Sequence, residues 1–415
     1  MIDKHITVDE IRWRRVLPWL NLLRIPDISF RVRAIVAATI AVLVFGLGNT
    51  AFRQLPFVVA KDSDALFPVL TDLSRAVSEN FWAASGLTND SDALAGRWLS
   101  PRRNEPENRH QARESQVGYG WMVWPLETVF RPARRLFDFG NTWSEVATAW
   151  TALLWALLVW GIFGGASCRM MAIRFTQDQS VPLRTALRFS VRNWHSYLYG
   201  PLLPLLGVGV LTLIASSVGC LERWLLTSNG TVLAVFGFMP TLCAIVMTFL
   251  LALTAMGWPL MTAAISTEGS DGFDGLSRAF GYVLNRFWSL LVLTCLTLIV
   301  GYFTNGLMLL FFQSVHWLID WSVGPTSEID SGTLWLEVLG IVQRGVSVSF
   351  FWSAITVIYF LLRQSEDGTP LDQVYISDPL PKAESLPVVG VAASQQQVIE
   401  QPLIERRHSE SSGTE

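Results

Sequence analysis

In the stretch ISTEGSDGFDGLSRAFGYVLNRFW (265–288), three carboxylates, Glu268, Asp271 and Asp274, stand three residues apart behind a long apolar run. Clustered carboxylates are what a hard divalent cation needs. The spacing is not that of an EF-hand loop, and no Asp or Glu follows at the position of its bidentate ligand. The other chemistry open to these acids belongs to a helix start. Asp271 or Ser270 can accept the free N–H groups of a first turn, and Asp274 sits favourably inside that turn. Helix capping and loop solvation are the reading adopted, and no metal site is assigned.

A second constellation is basic. Arg184, Arg188 and Arg192 recur every four residues in VPLRTALRFSVRNWHSYL (181–198), opposite Leu183, Leu187, Val191 and Trp194. A basic stripe on an interfacial helix attracts anionic lipid headgroups, at about 1 kcal/mol per charge near the surface. The simpler role for the same arginines is to fix the orientation of the chain.

Nucleophilic and acid–base chemistry finds less. The histidines, His5, His110, His195, His316 and His408, are scattered, and His195 beside Arg192 and Asn193 is a weak constellation. No HExxH, GxSxG or Walker loop occurs. Cys168, Cys220, Cys243 and Cys295 lie in or beside apolar runs, without a CxxC or a nearby His at metal-ligand spacing. They are expected to be buried small hydrophobes. No catalytic residue and no cofactor is assigned. With a net charge of −3 and no basic block interleaved with aromatics, nucleic acid is not an expected partner.

These residues are positioned by apolar elements. The chain is 51% hydrophobic and 16% charged, where soluble domains carry about 25% charge. Charge-free runs occupy 34–52, 146–168, 196–221, 231–267, 287–319 and 345–362. Roughly 20 such residues cross about 30 Å of hydrocarbon as a helix. The expected fold is therefore an all-α polytopic membrane bundle of six transmembrane helices. Lys4, Arg12, Arg14, Arg15, Arg24, Arg31 and Arg33 precede the first run, which places both termini on the cytoplasmic side. Trp194, Trp258 and Trp288 fall where an inner interfacial belt belongs, and Trp143, Trp224, Trp317 and Trp335 where an outer one does.

Five segments follow. Residues 1–33 form a cytoplasmic basic leader, with a membrane-surface helix broken at Pro18 and Pro26, and 34–52 form the first span, read as a retained signal anchor. Residues 53–143 form an extracytoplasmic loop with short amphipathic helices, among them GWMVWPLETVFRPARRLFDF (120–139) lying on the outer leaflet. The other five spans fill 144–363, and 364–415 form a disordered cytoplasmic tail. Gly161 and Gly165 make a GxxxG for close helix packing. Pro240 and Pro259 each predict a bend in the overlong fourth run, and Gly301, Asn305 and Gly306 mark where the fifth helix kinks or ends. Arg169 and Arg344 border their runs, where snorkelling to the interface suffices. Stretches 172–198 and 264–291 share a span, polar loop, amphipathic helix and Asn/Arg-plus-Trp junction, which suggests a parallel internal repeat.

The stretches GIFGGASCRMMAI (161–173), GWPLM (257–261), EGSDGFDGLSRAFGYV (268–283) and YFLLRQSEDGTPLDQVY (359–375) resemble a group of uncharacterised multi-pass membrane proteins of planctomycete-type bacteria. The resemblance covers about 145–375. It implies a bacterial cytoplasmic-membrane protein without an assigned activity, so no catalytic residue carries over. The function expected from the residues is a non-catalytic scaffold or accessory subunit contacting anionic lipid, with a protein partner held through the outer loop or C-terminal tail. An uncoupled permease or lipid-handling protein is the alternative. A polar-lined cavity near Asn305, Ser216 and Ser217 would favour transport, and solid packing the scaffold.

Overall fold

The computed structural model describes residues 17–58, 123–138, 140–224, 236–323, 332–371 and 374. Most of the 53–143 loop, including the helical spacing of Leu70, Leu73, Val77 and Phe81 in 64–87, and the tail beyond 374 lie outside them. Helices form every regular element among the described residues. In chain order they are a 3₁₀ turn (Pro18–Arg24), α1 (Ile25–Ser29), α2 (Val32–Phe52), α3 (Trp124–Arg135), α4 (Trp143–Val159), a π turn (Trp160–Gly164) and α5 (Gly165–Gln177). Then follow α6 (Leu183–Arg192), α7 (Trp194–Trp224), α8 (Phe238–Glu268), α9 (Gly272–Asn285), α10 (Phe287–Val323) and α11 (Gly332–Asp367). Among the described residues, six segments are long and apolar enough to cross a bilayer: α2, Trp143–Gln177, α7, α8, Phe287–Val315 of α10 and Val338–Asp367 of α11. The chain is thus a multi-pass membrane protein with an all-α core.

The six are not equivalent. In α11, 94% of the most apolar stretch is buried inside the protein, against 17% in each of α7, α8 and α10. The last span is therefore the central one. Its hydroxyls are satisfied internally: Ser349 Oγ donates to the Ser29 carbonyl at 2.8 Å, and Ser353 and Thr356 donate one turn back along the helix. Small residues allow close approach. Ala34, Ala38 and Ala41 of α2 are buried, and a Cβ at Gly345 would fall 2.2 Å from Thr39 Oγ1. Van der Waals contact at that range holds helices together where no water drives them.

Four span ends meet at one end of the bundle. Arg24 pairs with Asp178 at 3.1 Å, Arg33 donates to Ser180, Arg363 pairs with Glu268 at 3.3 Å, and Tyr282 donates to Asp367 at 2.6 Å. The start of α2 and the finishes of α5, α8 and α11 thus share this basic end, as six alternating crossings require. The succession span, short helix, span occurs twice here, as α5–α6–α7 and α8–α9–α10.

Several sequence expectations change. Pro18 and Pro26 do not break one surface helix; each lies in the opening turn of its own short helix, where the missing N–H is an orphan anyway. Leu22, Ile25 and Ile28 are buried against protein, not lipid. Pro240 sits in the first turn of α8, so it marks a start, not a bend, and Pro259 lies inside the same continuous helix. The fifth span runs unbroken through Gly301, Asn305 and Gly306. Trp258 is no belt residue: it is buried, edge-on to Trp352 at 6.0 Å. Trp143, Trp194, Trp224 and Trp288 are exposed at span ends as expected; the Trp317 and Trp335 side chains lie outside the described set. Only Cys168 and Cys243 are buried, while Cys220 and Cys295 are exposed on apolar helix faces.

The largest change concerns α3. Its first residue, Trp124, stands edge-on to both Phe45 and Trp160 at 5.5 Å. Trp160 lies midway along the second span and donates from Nε1 to Thr128 Oγ1 at 2.8 Å. This helix therefore does not rest on the outer leaflet. Its N-terminal turn is sunk among the spans, and its C-terminal turn returns to the end where α4 begins. Trp124, Pro125, Val129 and Pro132 of this helix are buried by protein, and cover by protein is the condition for irregular chain at membrane depth. A π turn at Trp160–Gly164 opens at the Trp160 indole, midway along the span.

Candidate functional site

At the basic end, α6 divides into three faces. Ala186, Phe189 and Ser190 are buried against the bundle. Arg184, Arg188 and Arg192 form an exposed row. Between these, Leu183 and Leu187 are half-buried, and Val191 and Trp194 are exposed. The apolar line lies beside the basic row and not diametrically opposite it, because the protein occupies the far side. His195, exposed, packs on Trp194 with ring centroids 4.0 Å apart.

Beneath α6, the charges are committed to one another. Glu268, the last residue of α8, pairs with Arg278 of α9 at 2.7 Å and with Arg363 of α11, and accepts the Tyr359 hydroxyl. Asp274 takes the Nε of Arg278 on both oxygens, at 3.0 and 3.1 Å. Asp271 is the N-cap of α9 and accepts the Asp274 N–H at 2.8 Å. Capping is thus seen for Asp271. Loop solvation fails for Glu268, whose side chain is 13% exposed. Burial works against the Arg278 charge, but the Glu268 and Asp274 carboxylates outweigh it and raise its pKa. Burial, then the hydrogen bond to Asp367, pushes the Tyr282 phenol well up.

Arg169 also does not snorkel. It is 5% exposed, lies 3.9 Å over the Phe189 ring, and donates to the Ser266 carbonyl at 3.0 Å. That carbonyl belongs to the last turn of α8, where no helical N–H is left to serve it. Tyr197 reaches the same turn through Ser266 Oγ at 2.9 Å. Gly161 and Gly165 make room for the Tyr197 side chain: a Cβ on Gly161 would lie 2.8 Å from the Tyr197 Cβ, and one on Gly165 2.5 Å from its ring. The glycine pair therefore faces α7 of the same chain. Arg344 is likewise buried, 4.8 Å over the Trp124 ring.

Arg169, Glu268, Arg344 and Arg363 each border a charge-free run, and neighbouring helices cover all four. Their position at run boundaries was the available signal for this network, but it reads equally as an interface with water. Among the described residues no cluster of His, Cys, Asp or Glu could hold a metal ion.

Two cavities flank α3. One, of about 700 Å³, lies between α3, α4, α7 and α8 and is lined by Leu153, Leu157, Pro201 and Leu205, with Glu127, Arg131 and Arg134 on the α3 side. The other, of about 310 Å³, lies between α3, α8, α10 and α11. Val123, Leu126 and Ala255 border both. Neither is near Ser216, Ser217 or Asn305. The two serines bond carbonyls of their own helix, and Asn305 accepts from Ser347.

No protein-family model matches the sequence, no curated protein matches it, and no solved structure matches the fold.

Proposed function

We propose that the chain is a non-catalytic membrane scaffold or accessory subunit whose basic end faces the cytoplasm and grips anionic lipid through α6. The observation that carries this reading is the three-way division of α6. Its protein face is fixed by Phe189 and Leu187, and its apolar edge at Val191, continued by Trp194 at the start of α7, is free to enter hydrocarbon. The Arg184, Arg188 and Arg192 row then stands at headgroup level. The charges below α6 are held in ion pairs, which supports a static framework more than a cycling one. The polar groups that would have lined a permeation path, Ser216 and Ser217, are satisfied by their own helix, so the permease reading has no specific support.

The test is lipid retention by the detergent-purified full chain, quantified by mass spectrometry. Replacing Arg188 and Arg192 by Glu is expected to lower retained anionic lipid at the basic end by at least about thirtyfold, the factor from the two positive charges removed at roughly 1 kcal/mol each, before the repulsion of the two carboxylates introduced. Unchanged retention with correct topology removes the headgroup role. A tagged chain that purifies as a lone species of its own mass removes the scaffold role.

A further inference from the structure

The larger cavity beside α3 combines two properties that nothing in the framework uses. Its walls on α4, α7 and α8 are apolar: Leu153, Leu157, Leu205 and Leu251 line it. Its α3 side carries Glu127, Arg131 and Arg134. Arg131 already pairs with Glu127 at 3.2 Å. Arg134 is exposed and makes no ion pair with any described residue. Among the described residues, one positive charge is therefore left over at the lip of an apolar hollow.

The placement of α3 defines which way the hollow faces. The deep end of the helix is pinned by the Trp160–Thr128 hydrogen bond and by the Phe45, Trp124 and Trp160 rings. The arginines lie in its later turns, toward the end where α4 begins with the exposed Trp143. Charge thus sits toward the membrane surface and apolar wall toward the interior. An ion alone would leave the hollow unfilled, and a hydrocarbon alone would leave Arg134 without a counter-charge. The volume is within the range of about 300–1,000 Å³ usual for built ligand sites.

We infer that this cavity holds a single anionic phospholipid from the half of the bilayer opposite α6, with its phosphate at Arg134 and Arg131 and one acyl chain between α4, α7 and α8. The site is independent of the α6 stripe, since it lies at the other end of the spans.

The test is photolabelling of the full-length protein in lipid nanodiscs, using phosphatidylglycerol with a diazirine at the end of one acyl chain. Label is expected on cavity residues such as Leu153, Leu157 or Leu205, to be competed by unlabelled phosphatidylglycerol, and to resist phosphatidylcholine and inorganic phosphate. Arg131→Ala with Arg134→Ala should reduce it about thirtyfold, a factor of roughly five per charge. Leu205→Trp, which fills the hollow and leaves the charges in place, should also abolish it. Reversing Arg188 and Arg192 should leave it unchanged. Label confined to outward-facing residues such as Leu206 or Ile245, equal competition by phosphatidylcholine, or full labelling of either cavity variant would overturn the site. Helix content and a single size-exclusion peak, checked for each variant, separate loss of the site from loss of the fold.

Discussion

Glu268 ends α8, and three partners from two other helices converge on it. Removing one member of a largely buried ion pair leaves the other charge uncompensated and costs about 3–5 kcal/mol. Glu268→Ala removes the carboxylate paired with Arg363, whose side chain is 12% exposed, and is expected to lower thermal stability in detergent by an amount up to that range. Glu268→Gln should be milder, because the amide oxygen still accepts from Tyr359. Arg278 is 38% exposed, so Arg278→Ala should cost no more than about 1 kcal/mol. Equal losses from Glu268→Ala and Arg278→Ala would contradict this assignment. Tyr282 gives a pH signature. Its folded pKa is raised, so the fold prefers the neutral phenol, and its contribution is complete below the ordinary value of 10.0. The loss of stability from Tyr282→Phe should be the same at pH about 6 and about 9 and shrink only above about 10. Shrinkage already near pH 8 would mean that the phenol does not lie against Asp367.

Elements set a different kind of constraint, through the space between helices. A Cβ at Gly345 would meet Thr39 Cα at 3.0 Å, and one at Gly164 would meet the Trp352 ring at 2.4 Å. Gly345→Val and Gly164→Val are each expected to destabilise by about 1–3 kcal/mol or more, since packed cores resist added volume. Gly306, where an added Cβ meets nothing within 4 Å, is the control: Gly306→Ala should stabilise by about 0.5–1 kcal/mol through helix propensity. Thermal unfolding of the three variants side by side checks the pattern. The same contrast shows what the sequence makes legible. Spans are read from charge-free length, because the bilayer imposes it on the chain itself. The α9 cap at Asp271 and the basic row of α6 are local, so they too are visible. Which helix is central, which glycine meets a neighbour, and the sinking of α3 beside Trp160 depend on pairs far apart in the chain. Gly345 and Thr39 are one such pair, and Glu268 and Arg363 another. The WPLETVF segment reads as an amphipathic surface helix because an apolar stripe looks the same whether lipid or protein covers it.

For the whole molecule, the alternation of span ends fixes which residues share a side of the membrane. Single cysteines placed at Asp178 and Asp271, in a background without the native four, should react alike with an impermeant thiol reagent. A cysteine at Trp143 should show the opposite behaviour. Labelling of all three from one side would break the six-crossing arrangement. The two amphipathic helices, α6 and α9, lie on the same side as residues 178 and 271, while α3 descends from the other. The molecule therefore presents a charged, internally paired end and an end where apolar hollows open beside an arginine-bearing helix.

The burial of α11 bears on how this protein is made. During synthesis the five earlier spans enter the membrane without the segment around which they gather, and Glu268 waits with neither Arg363 nor Tyr359 beside it. Until the sixth span arrives, that carboxylate has Arg278 as a native partner but not the two from α11, and the Ala-lined flank of α2 lacks its main neighbour. Completion of the bundle is thus an event tied to the final hydrophobic segment leaving the ribosome, and a chain interrupted before it would be an obvious target for membrane proteolysis.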